Sequence, residues 1–167
     1  VENLKDTLLV QGVKGIKVSH EIPMNFSIDK LIKHKLMDII QKNNLILMMH
    51  IGTGKELGAG LVHNTLNYAI EVAEEYPKVK FIFCHLGRLH WSLIEALNLE
   101  NVYADTSALS MWGKWKEFIA LEPMEIFKSS KPTDVIEELV AKGYEDKIIF
   151  GSDEPYTNYD GEIAAIE

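Results

Sequence analysis

Five short apolar runs constrain what this chain can fold into. They are GVKGIKVS (12–19), NLILMMHIG (44–52), KFIFCHLG (80–87), NVYADTS (101–107) and KIIFGSD (147–153), each closing on a small or polar cluster. Each is short enough for a strand and apolar at both odd and even positions, the pattern of strands covered on both faces in a parallel sheet. Between them, apolar residues recur three or four apart. Ser27 caps one such stretch, with Ile28, Leu31, Ile32, Leu36, Ile39 and Ile40, which runs to Asn43-Asn44. Leu66, Ala69, Ile70 and Ala73 form the next before Pro77, Trp91 to Leu97 is shorter, and Thr133 to Lys142 ends at Gly143 as a C-terminal stop. Strand and helix thus alternate four times before a fifth strand. That order predicts an α/β fold with parallel strands and right-handed crossovers. No linker divides residues 1–167, so they read as a single domain. The longest connection, 108–131, contains MWGKWKEFIALEPMEIF and reads as a helix packed on the sheet or as a lid.

Composition narrows the function classes. With 167 residues, 47% hydrophobic and 25% charged, the chain can bury one real core. No apolar run approaches the ~20 residues of a bilayer span, and no basic segment leads into an apolar one at the start. The expectation is a soluble cytoplasmic protein without a membrane partner. The single cysteine, Cys84, suits a reducing compartment. A net charge of -8, with 17 scattered basic residues against 25 acids, argues against nucleic acid. Val1 is not an initiator methionine, so a processed product or a fragment is expected.

In parallel α/β folds, ligands sit at the carboxyl ends of the strands. At that edge the sequence places His50, His85, Asp105 and Asp153. Alternation puts Ile46, Met48 and His50 on one face, Phe81, Phe83 and His85 on one face, and Ile149, Gly151 and Asp153 on one face. If that shared face lines a barrel, two imidazoles and a carboxylate converge at its mouth, the donor types of a catalytic divalent metal such as zinc. A single histidine at a strand end is more often a packing residue; three polar residues at equivalent ends favour a site. Asp105 reads equally as a turn in DTS. His20 is a lesser candidate, His34 and His63 read as helix surface, and His90 as either. In HIGTGKELGAG, Gly52 and Gly54 fit a dinucleotide loop but Leu57 occupies its last glycine position, and Glu56 breaks a P-loop. Nucleotide binding is a minor alternative.

Together, GVKGIKVS, LMMHIGTG, FIFCHLGRLHW, NVYADTSAL and IIFGSDEPY resemble successive strand ends of the metal-dependent amidohydrolase superfamily, in its amidohydrolase-related, aminocarboxymuconate-semialdehyde-decarboxylase-like branch. The resemblance covers almost the whole chain, and its order and spacing are more specific than any single motif. It implies a (β/α)8 TIM barrel of which these are strands four to eight, so that residues 1–167 would be the C-terminal part of a metal-dependent hydrolase barrel. It further implies that His50 and Asp153 bind a divalent metal, zinc first and manganese second, and that His85 and Asp153 are catalytic. An open five-stranded parallel sheet with helices on both faces is the structural alternative.

The sequence departs from that family where its first strand carries an H-x-H pair, because no two of the six histidines here are separated by one residue. A full barrel takes about 250 residues, and three missing units of roughly 30 residues account for the difference. Five strands leave two open edges. The expectation is a missing N-terminal barrel segment or a homo-oligomer that covers them. The complete enzyme would be a hydrolase or a non-oxidative decarboxylase acting on a small carboxylate- or amide-containing substrate. Arg88, the only arginine, sits three residues past His85, where it could grip a substrate carboxylate, though a surface position suits it as well. Lys17 could reach the pocket or the rim of the helix layer. A catalytically inactive barrel fragment serving as a structural or interaction module is the alternative function.

Overall fold

The computed structural model describes residues 6, 12–19, 32, 35–51, 60–111 and 131–167. Five parallel strands form one sheet: β1 (Gly15–Val18), β2 (Ile46–Met49), β3 (Lys80–Phe83), β4 (Val102–Asp105) and β5 (Ile148–Ile149). Between and after them lie α1 (Leu36–Lys42), α2 (Gly60–Glu75), α3 (Ser92–Leu97), α4 (Pro132–Ala141) and α5 (Tyr159–Ala164). The alternation read from the apolar runs is present. Helix ends follow local chemistry: Asn43 closes α1 with its Nδ2 donating to Ile39 O at 2.8 Å, and Gly143 beyond α4 takes φ +86. The final helix α5 was not anticipated, although Asn158 caps it by accepting from Gly161 N–H at 2.6 Å. His20, the Ser27 cap, His34, the side chain of His63, the Gly52–Gly54 loop and the 112–130 segment lie outside the described residues.

Strand order in space equals order in sequence, β1-β2-β3-β4-β5. With right-handed crossovers that never reverse direction, successive helices fall on one side of the sheet. A doubly wound sheet needs a reversal of strand order to place helices on both faces. The both-faces alternative, and the nucleotide-binding crevice that depends on a reversal, therefore have no support in this topology.

The helix side of the sheet is the core. Leu47, Met49, Phe81, Phe83 and Val102 pack with Met37, Ile40, Leu66, Ala69, Ile70 and Ala73 in one cluster. A second cluster joins Leu86, Leu89, Leu93, Leu97, Ala104, Leu109, Val135 and Leu139. The opposite face is a row in register, Lys17, Met48, Ile82 and Tyr103. There Lys17 is exposed and the other three are half-buried. The runs had suggested burial on both faces; instead one face is closed and the other only half-covered, as for a barrel interior lined by five strands.

The sheet is curved. If flat, strands β1 and β5 would lie about 19 Å apart, four spacings of about 4.8 Å. Yet Lys17 Nζ on β1 stands 3.9 Å from Asp153 Oδ1 beyond β5. The segment from Ile149 to Asp153 and the Lys17 side chain share that gap, which closes when the strand ends curl toward one another as in a barrel wall.

Strand β5 differs from its expectation. It contains two residues rather than running to Asp153, and Ile149 and Phe150 are 39% and 42% exposed. Among the described residues it has a neighbour on one side only. Asp153 lies past it, in a left-handed backbone conformation with φ 57.

Candidate active site at the strand exits

Strand β3 ends at Phe83, and the chain then makes a left-handed turn. His85, Leu86, Gly87 and Arg88 take φ 63, 44, 59 and 57, and Leu89 takes φ 58. Left-handed residues other than glycine cost about 1–2 kcal/mol each, so four of them need compensation. Leu86 and Leu89 supply part of it by complete burial in the second cluster. A carboxylate supplies another part: Asp105 Oδ1, at the end of β4, accepts from the His85 backbone N–H at 2.8 Å.

This turn sets where the His85 ring goes. Register puts Phe81 and Phe83 on the helix side, opposite Met48. Strict alternation would have carried His85 there too, away from His50. The reversed backbone hand instead brings His85 Nε2 to 3.0 Å from His50 Nδ1, ring centroids 4.7 Å apart and planes at 75°. The expected shared face thus holds for Ile46, Met48 and His50 but not for Phe81 and Phe83, and the two imidazoles meet by a different route.

The His85 ring is 1% exposed. Its Nδ1 lies 2.9 Å from Ser107 Oγ and 3.1 Å from Ser107 O. Ser107 in turn donates its backbone N–H to Asp105 Oδ1 at 3.1 Å and its hydroxyl to the same oxygen in a short hydrogen bond. Burial, then the charges of His50 and Arg88, lower the His85 pKa to about 3 against the opposing pull of Asp105 and Ser107. The ring is therefore neutral near pH 7. By sequence Asp105 fits a site and a DTS turn alike. It does both, ending the strand and anchoring the turn that presents His85.

Arg88 is half-buried and donates from Nε to Ile51 O at 3.2 Å, which ties it to the β2 exit. Its charge acts on both His85 and Asp153. The Asp153 carboxyl is raised, chiefly by burial, with Asp105 and Glu162 pushing up and Lys17 and Arg88 pulling down. Asp153 and His85 share the charges of Arg88 and Asp105. His90 is buried but serves locally, accepting from Ser92 N–H at 3.2 Å at the start of α3. Cys84, next to the turn, is a buried thiol whose pKa burial pushes up, so it stays protonated and unreactive.

Among the described residues, no group of three or more His, Cys, Asp and Glu side chains could hold a metal ion. His50 and Asp153 are of the right donor types but do not form a complete site on their own. Nor is any helix among the described residues long and apolar enough to cross a membrane.

Comparisons with known proteins agree with this architecture. No curated protein sequence matches the chain. Among solved structures, a dihydroorotase from Campylobacter jejuni is similar at 22% identity and TM-score 0.59, over 91% of this chain and 45% of that one. A probable 2-pyrone-4,6-dicarboxylic acid hydrolase from Acinetobacter baumannii, with citric acid bound, is similar at 18% identity and TM-score 0.62, over 99% of this chain and 60% of that one. The chain thus spans about half the length of these structures. The sequence profile of the amidohydrolase family matches residues 1–167 in full. With parallel strands in barrel order and polar groups gathered at their carboxyl ends, this chain belongs to the amidohydrolase family.

Proposed function

We propose that the chain contributes the later strands of a hydrolase barrel that acts on a small, carboxylate-bearing ester or amide. The observation that carries this reading is the His50–His85 pair at adjacent strand exits, with Asp153 and Arg88 sharing its charge environment. Each residue has a distinct task. Asp153, whose carboxyl is raised, takes a proton from water more readily than an ordinary aspartate. Arg88, held by the Ile51 carbonyl, offers a planar guanidinium to a substrate carboxylate. His85 stays neutral beside His50 and sets its hydrogen bonding, and the remaining His50 nitrogen meets either the ion or the substrate.

His50 and Asp153 are also the two groups we assign to a divalent ion, zinc or manganese by imidazole and carboxylate chemistry. Such an ion needs further donors beyond the described residues. Hydrolysis is favoured over decarboxylation because the Acinetobacter neighbour is named a hydrolase, and its bound citric acid supports a substrate rich in carboxylates. Among the described residues β1 and β5 are each paired on one side, and their outer edges call for pairing in the working protein, by further strands of the same polypeptide or by a second copy.

The experiment is an assay against small lactones and amides that carry carboxylates, together with metal analysis of protein purified without chelator. Asp153→Asn is expected to lose roughly 10²–10⁴-fold in kcat, the range of a proton-transfer group. His50→Ala is expected to lose both activity and bound metal. Full activity in Asp153→Asn would overturn the reading.

A further inference from the structure

We propose that Asp105 and Ser107 are positioning residues that act through the His85 ring to fix the tautomer of His50, leaving His50 Nε2 as the electron-pair donor of the site. The inference rests on the reading of His50 as a group that meets the ion or the substrate.

Asp105 Oδ1 accepts three hydrogen bonds, from the backbone N–H of His85, the backbone N–H of Ser107 and the Ser107 hydroxyl. A serine hydroxyl has a single proton, and here it is committed to the carboxylate. Toward His85 Nδ1, at 2.9 Å, the Ser107 oxygen can then only accept. The Ser107 carbonyl, 3.1 Å from the same nitrogen, can only accept as well. Two acceptors at one ring nitrogen require that nitrogen to carry the proton.

A neutral imidazole has one N–H, so His85 Nε2 bears a lone pair. That lone pair lies 3.0 Å from His50 Nδ1. For this contact to be a hydrogen bond, His50 must donate from Nδ1, which leaves its own Nε2, a buried ring nitrogen, without a proton. The chain of three strand exits therefore ends in one defined chemical state. An isolated neutral histidine in water prefers its proton on Nε2, so the protein holds His50 in the less common form. A substrate or water hydrogen, or a cation, would meet an acceptor there rather than a donor.

The test is long-range proton–nitrogen NMR on protein labelled with nitrogen-15 at histidine, with His50 and His85 signals assigned by single substitution. In the wild type, both rings are expected in the Nδ1–H form, with Nε2 showing the signal of a bare ring nitrogen. In His85→Ala, His50 loses its acceptor and the Nε2–H form is expected to become the majority. Asp105→Ala, which frees the Ser107 hydroxyl to donate to the ring, should move His50 toward the same mixture, while Asp105→Asn keeps an acceptor oxygen and should retain the wild-type form. An Nε2–H His50 in the wild type overturns the proposal, as does an unchanged His50 signal in both alanine variants. If either alanine variant loses its histidine dispersion through unfolding, the wild-type spectrum and the remaining variants decide. None of these signals depends on turnover, so failure of the hydrolase reading and failure of this one are separable.

Discussion

Gly151 packs so closely on Ser107 that a Cβ added to it would stand 3.1 Å from the Ser107 Cβ and 3.4 Å from the Asp105 Cβ. A methyl group there would need Ser107 to give by a few tenths of an ångström, and the glycine lets the β5 exit lie against the two residues that hold His85. Gly151→Ala is expected to destabilise the protein by about 1–3 kcal/mol, the usual cost of forcing an extra methyl group into a packed contact. Urea unfolding checks this, and an unchanged midpoint would contradict it.

Asp105→Ala removes the acceptor for two buried backbone N–H groups at once, those of His85 and Ser107. Each orphaned buried donor costs about 1–3 kcal/mol. The expected loss is therefore about 2–6 kcal/mol by chemical denaturation, with Asp105→Asn losing less because an acceptor oxygen remains. Equal losses in the two variants would mean that something other than this oxygen anchors the turn.

The His85 shift has a consequence for acid stability. Its pKa falls from 6.5 in a free chain to about 3 when folded. Between those values the unfolded chain binds the extra proton, so stability is present above pH 6.5 and declines as the pH drops toward 3. One such group gives a slope of at most about 1.4 kcal/mol per pH unit. Asp153, raised on folding, acts in the opposite sense over the lower part of this window. Urea midpoints at a series of pH values should fall with acid, and His85→Ala should flatten the curve; a wild-type profile level down to pH 4 would count against it.

Lys147 serves as a clamp ahead of β5. Its Nζ donates to Leu99 O at 2.9 Å, Glu100 O at 2.8 Å and Val102 O at 3.3 Å, and sits 4.9 Å from the Tyr103 ring centroid. Lys147→Met keeps the side chain's length and loses the charge. The expected cost is about 1–2 kcal/mol, since these bonds are partly open to solvent. Hydrogen exchange at the β4 and β5 amides should quicken in this variant while α2 stays as protected as before.

Local sequence determined the alternation of five strands with helices, because a run apolar at both parities and a stretch with helical spacing bury their side chains in different rhythms. It also marked His50, His85, Asp153 and Arg88 as polar groups at strand exits, and Gly143 as a helix stop. The tertiary structure decided the rest. Phe81 and Phe83 turned to the helix side by register with β2, and a left-handed turn carried His85 back to His50. Asp105 could not be separated from an ordinary turn residue, because the amide it holds lies twenty positions earlier in the chain. Lys17 met Asp153 where the exits of the first and last strands come together. Periodicity is written in neighbouring residues, whereas register, backbone hand and sheet curvature arise from contacts between distant ones, and those contacts choose which side chains share a site.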